Sequence, residues 1–107
     1  MTWTLEASAT TTTDGTEQTL STLTTNKSFV FEIDTGAMLK GDLIQVRVYG
    51  KTLSGGTERV RRIVNYGNDQ GEPIKQFEPH ASDISWKVTL KRVGGTDRSY
   101  PWKVLSI

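Results

Sequence analysis

Apolar side chains return at every second position in four separate stretches of this chain: Phe29, Phe31 and Ile33; Ile44, Val46 and Val48; Ile84, Trp86, Val88 and Leu90; Tyr100, Trp102 and Val104. A period of two places these side chains on one face of an extended backbone and the intervening polar residues on the other, so each stretch reads as a half-buried β-strand. No segment sustains the spacing of an amphipathic helix. Glycine-rich turns punctuate the strands at Ser54-Gly-Gly-Thr57 and Gly94-Gly95. Short alternating strands joined by such turns predict an all-β chain, an antiparallel β-sandwich of about eight strands in a jelly-roll or immunoglobulin-like arrangement. A small β-barrel is the alternative, because in-out alternation is the same whether or not the sheet closes.

The remaining segments fill in around this pattern. Threonine occupies positions 10 to 13 and recurs at 2, 4, 16, 19, 22, 24 and 25, and its branched Cβ favours extended backbone. The polar run Ser8 to Gly15 is expected as a loop or connector between strands at 3–7 and 18–23. Residues 1–25 thus form a Thr-rich N-terminal arm or the first strands, and residues 26–107 the sandwich domain. Asp34 to Asp42 is too short for a stable helix and is expected as one helical turn or a loop, with Met38 and Leu39 plugging a sheet edge. Pro73 and Pro79 bracket a short edge strand at 74–77, since proline cannot donate to a ladder. Lys51 to Arg59 and Lys91 to Arg98 read as two versions of one hairpin, with Gly55, Gly56, Gly94 and Gly95 supplying left-handed backbone at matching tips.

Composition removes most chemistry. With 107 residues, a net charge of +1, no cysteine and a single histidine, His80, the chain offers no thiol nucleophile, disulfide framework, Cys-based metal site or His-rich cage. No cofactor is expected. Neither a signal-like N-terminus nor an apolar run near ~18 residues is present, so the sequence suggests a cytoplasmic site of synthesis and no membrane partner. Carboxylate pairs exist at Glu32 with Asp34 and at Asp14 with Glu17, yet a pair serves hydrolysis only when it faces across a cleft, and a solvated strand face is the ordinary reading. Asp14-Gly15 and Asn68-Asp-Gln-Gly71 lack the spaced acidic ligands of a calcium loop. His80 has no nucleophile or carboxylate at a recognised spacing. Asn26-Lys-Ser28 matches a glycan acceptor, which matters only in a secreted protein.

Two features suggest binding. Trp86 and Trp102 run in register with core positions, leaving Trp3 and Tyr49 as freer aromatic contacts. Charge is also unevenly placed. Residues 1–42 carry Glu6, Asp14, Glu17, Glu32, Asp34 and Asp42 against Lys27 and Lys40, whereas residues 43–66 carry Arg47, Lys51, Arg59, Arg61 and Arg62 against Glu58. Such a basic ribbon, with Arg59 and Arg61 pointing the same way, could meet phosphates or the acidic segment of a neighbouring protein, or simply discourage edge-to-edge aggregation.

Lys40-Gly-Asp-Leu-Ile-Gln-Val-Arg-Val-Tyr49, Leu53-Ser-Gly-Gly-Thr-Glu-Arg-Val60 and the segment from Val88 to Leu105 resemble small all-β proteins encoded among the virion structural genes of tailed bacteriophages, some of them capsid decoration or cement proteins. The resemblance spans residues 28 to 107, omits the threonine-rich start, and rests on turn glycines and alternation. It implies a non-enzymatic sandwich of the virion, assembled in the host cytoplasm, that braces a shell through edges, loop tips and its N-terminal arm. The implied partners are the major capsid protein or another virion protein and further copies of the chain, as an oligomer or a many-copy lattice, with nucleic acid disfavoured. No single functional residue carries over. The alternative from the residues themselves is a carbohydrate-binding or other adhesion module on a tail or head fibre, using Trp3 and Tyr49. A small enzyme built on Glu32 and Asp34 ranks last.

Overall fold

The computed structural model describes residues 2–107. Nine strands follow one another: β1 Thr4–Thr12, β2 Gln18–Leu23, β3 Lys27–Asp34, β4 Leu43–Gly50, β5 Arg59–Gly67, β6 Ile74–Gln76, β7 His80–Ser82, β8 Trp86–Gly94 and β9 Ser99–Ser106. One sheet has the order β1-β9-β3-β6, with β7 also on β3, and the other has the order β2-β8-β4-β5. Every pairing is antiparallel. No strand of one sheet is hydrogen-bonded to a strand of the other, so the molecule is an open sandwich and not a barrel.

Five of the seven pairings share a single centre, the exceptions being β3 with β9 and β4 with β8. Thr4 faces Ser106, Gln18 faces Leu90, Lys27 faces Ser82 and Leu43 faces Gly67, and the chain midpoint of each pair falls at Ser54 to Gly55. The protein is therefore one long antiparallel ribbon, doubled back at its middle and wound into two sheets, which is the jelly-roll arrangement. β6 and β7 are two pieces of one ribbon segment. They pair with opposite ends of β3, and Phe77, Glu78 and Pro79 lie between them. Proline breaks the ladder there as the sequence predicted, while Phe77 N still donates to Phe31 O at 2.8 Å.

The alternating residues make the core. Phe29, Phe31, Ile33, Tyr100 and Val104 from one sheet meet Ile44, Val46, Val48, Trp86, Val88 and Leu90 from the other, all 1% exposed or less. Phe29 packs on Trp86 with ring centroids 5.4 Å apart, and Phe31 meets Phe77 edge-on at 5.5 Å, geometries that suit aromatic quadrupoles.

Several expectations change. The threonine run does not loop out, because β1 continues to Thr12 and pairs along β9 to its end, where the Thr11 hydroxyl accepts the Trp102 indole N–H at 2.9 Å. Of the two residues expected to plug an edge, Met38 is 2% exposed and Leu39 55%. The twin hairpins are not twins. β4 and β5 form a hairpin, but β8 and β9 lie in different sheets, so residues 95–98 form a crossing between layers. Their tips also sit at opposite ends, since β8 starts beside Gly50 and finishes beside Leu43. Of Gly55, Gly56, Gly94 and Gly95, only Gly95 has left-handed backbone, with φ +83°. A glycine pair signals a reversal in either case and cannot tell a hairpin from a crossing.

Pro101 occupies a strand with neighbours on both sides, a position that normally excludes proline. Ile107 exchanges backbone bonds with Ser28 on β3, so alternation turns Leu105, Lys103 and Pro101 toward β3 as well. Pairing of β9 with β3 stops at Ile33 opposite Trp102, one residue short of proline. The missing donor thus falls where the two strands have already parted.

Candidate functional site

The open face of the β2-β8-β4-β5 sheet carries a connected polar network. Glu17 stands beside it, where its Oε2 accepts the Tyr49 hydroxyl at 2.5 Å and the Thr89 hydroxyl at 2.6 Å. Burial opposes ionisation of Glu17, but the two hydroxyl donors and the nearby Arg47 and Lys87 outweigh it and lower the carboxyl pKa. Lys87 Nζ sits 4.5 Å from the centre of the Tyr49 ring and 2.8 Å from Glu58. Arg47 donates to Gln45 Oε1 at 2.6 Å. Tyr49 is accordingly held by its neighbours and is not a free stacking platform. Val60 and Ile63, 41% and 45% exposed, flank this network opposite Tyr49 and Arg47.

The basic ribbon is less uniform than its sequence suggests. A bulge between Val48 and Tyr49 leaves Arg61 unpaired in the β4–β5 ladder. Its guanidinium folds over Gly50 and donates to the carbonyls of Ala81 at 3.0 Å and Ser85 at 3.3 Å. Arg59, opposite Gly50, and Arg61 thus line one depression, and the inserted residue reverses side-chain parity only beyond it, from Arg62 opposite Val48. Arg62 pairs with Glu78 at 3.1 Å, and Glu78 also lies 3.4 Å from His80. Lys51 and Arg59 have no ion-pair or side-chain hydrogen-bond partner among the described residues. With Arg61 and Asp83 they line a depression of about 270 Å³ at the foot of the hairpin tip. Leu53 projects from that tip and is 71% exposed. Gly55 lies in the tip, where an added Cβ would meet nothing within 4 Å.

The opposite sheet offers a groove where β3 and β9 part. It measures about 470 Å³ and is lined by Ser8, Thr10, Glu32, Asp34, Trp102 and Lys103, among others. Glu32 is tied to Lys103 at 3.3 Å and accepts from Gln76 at 3.2 Å, and Asp34 accepts the Gly36 N–H at 2.8 Å. These carboxylates share the groove, but each already has partners. Trp3 lies on the same sheet's open face beside Val30, Leu105 and Pro79, so it and Tyr49 sit on opposite faces of the molecule and cannot form one aromatic platform. Among the described residues no group of three His, Asp or Glu side chains is arranged to hold a metal ion.

Compared with known protein families, with curated proteins and with solved structures, the chain matches none. The geometry stands alone. Sequence reasoning found the ribbon cations and the tip but missed Glu17, Lys87 and Thr89 as a unit. The polar alternation of β8 marked Lys87 and Thr89 as outward. No local signal connects them to Glu17, which reaches them only because β2 pairs with β8.

Proposed function

We propose that this protein is a non-enzymatic virion structural protein of the capsid decoration type, binding a shell built from a major capsid protein. The observation that carries this reading is the strand order, β1-β9-β3-β6 over β2-β8-β4-β5, an arrangement that viral capsid domains employ. Fold alone leaves function open, and the residue resemblance to phage virion proteins supplies the rest of the argument. The docking element is the hairpin tip. Leu53 provides an apolar anchor, and Lys51 and Arg59 provide cations without partners among the described residues.

Co-sedimentation with purified, undecorated shells tests the reading. Wild-type protein should pellet with shells and should release as salt shortens the screening length below about 8 Å. Lys51→Glu with Arg59→Glu should abolish attachment while circular dichroism stays unchanged, because like charges at an interface cost several kcal/mol. Binding to duplex DNA but not to shells would overturn the proposal. The groove beside Glu32, Asp34 and Trp102 favours a second reading, a carbohydrate-binding module, since jelly rolls also serve as lectins. A glycan array separates the two.

A further inference from the structure

A sandwich has four open edges, and this one protects three of them. β2 is six residues long and interrupted by a bulge between Thr19 and Ser21. β5 carries Arg59, Arg61 and Arg62 and a bulge of its own. β6 and β7 are three residues each, bounded by Pro73 and Pro79. Charges, bulges, prolines and short strands are the devices that keep an edge from pairing with another chain.

β1 is different. Its nine residues include an irregularity only between Leu5 and Ala7, after which Ala7 to Thr12 runs in unbroken register against β9. That stretch, Ala7-Ser-Ala-Thr-Thr-Thr12, contains no charge, proline or glycine. Its free backbone groups can be placed. Thr13 N donates to Arg98 O, so alternation turns Thr11, Ala9 and Ala7 toward β9 and turns Thr12, Thr10 and Ser8 outward. Gln18 Nε2 already donates to the Thr12 carbonyl at 3.3 Å. The N–H and C=O groups of Ser8 and Thr10 face outward, with no partner among the described residues.

We infer that the Ser8–Thr10 edge of β1 pairs with the same edge of a second copy, antiparallel across a two-fold axis through Ala9. In this register Ser8 of each copy exchanges both backbone bonds with Thr10 of the other, and the flanking pair sets Ala7 against Thr11. No like charges oppose one another, and Thr opposite Ser is a favourable cross-strand pair. The contact is isologous, as a closed dimer requires. β5 could not do the same, because self-pairing would bring Arg59, Arg61 and Arg62 close to their own copies. The inference is independent of shell binding and holds for the protein in solution.

The test uses the full chain, which has no native cysteine. In sedimentation velocity the wild type should shift from monomer to dimer as concentration rises through the high micromolar range. Thr10→Pro removes an outward N–H that β9 does not use, so it should abolish the dimer and leave the circular dichroism and melting curve of the monomer intact. Thr10→Lys keeps the N–H and should weaken the dimer at least tenfold, which preserves the test if the proline variant fails to fold. Ala9→Cys places two thiols on the axis, where opposed residues lie about 4.5 Å apart between Cα atoms, and should form a disulfide-linked dimer under mild oxidation that Thr10→Lys suppresses. A wild type that stays monomeric throughout, or a dimer that persists undiminished in both Thr10 variants, would overturn the inference.

Discussion

At the scale of single residues, Asp42 and Gly95 set the geometry of the crossing between β8 and β9. Asp42, 3% exposed, accepts the Leu39 N–H at 2.8 Å and the Thr96 N–H at 3.1 Å and pairs with Arg98. The Leu39 N–H, the Arg98 guanidinium and the Thr96 N–H together hold its pKa down to about 2, against 3.8 for an unperturbed aspartate. A pKa depressed in the folded state means stability that is complete above the unfolded value and is lost as pH falls from 3.8 through about 2. Thermal melts between those limits should show that loss for the wild type and a flatter profile for Asp42→Asn, which starts lower at neutral pH. Gly95 has φ +83°, and a Cβ there would meet Asp42 Oδ1 at 2.5 Å and Gly41 O at 2.8 Å. Gly95→Ala should cost more than ~1 kcal/mol, whereas Gly55→Ala, in open space without positive φ, should be neutral or stabilise by ~0.4–1 kcal/mol through the unfolded chain. Chemical denaturation of the two variants checks this difference in sign.

At the scale of elements, the bulge in β5 decides which cations belong to the fold. Arg61 ties the β4–β5 hairpin to β7 and to the β7–β8 connection through the carbonyls of Ala81 and Ser85, and a Cβ on Gly50 would collide with its guanidinium. Charge-assisted bonds of this kind contribute more than neutral ones, though exposure of Arg61 reduces the gain. Arg61→Ala should therefore destabilise by about 1 kcal/mol, while Arg59→Ala should fall within ~0.5 kcal/mol of wild type. Equal melting curves for the two variants would mean that Arg61 does not brace the hairpin. β9 illustrates a second elemental rule. It accepts Pro101 in a central strand because pairing with β3 ends at Trp102, and the gap left beyond that point forms the groove beside Glu32 and Asp34.

For the whole molecule, the ribbon has one short-range pairing and many long ones. β4 and β5 adjoin the midpoint of the chain, whereas Thr4 with Ser106 closes nearly its full length. Loop-closure entropy makes such topologies slow, so refolding should take roughly milliseconds to seconds. If the ribbon forms outward from its centre, Val46→Ala should mainly slow refolding and Val104→Ala should mainly speed unfolding, which stopped-flow kinetics resolves. The sequence by itself determined the β class, the inward faces of β3, β4, β8 and β9, and the proline-bounded edge, because side-chain alternation and proline's missing donor act within a few residues. Tertiary structure alone decided that Gly94-Gly95 crosses between sheets, that Thr10 to Thr12 join a strand, that Arg61 meets the carbonyls of Ala81 and Ser85, and that Glu17 joins Tyr49 and Thr89. Each of these depends on a partner far away in the chain or on a bulge that leaves a residue unpaired, and neither leaves a local mark on the residues concerned.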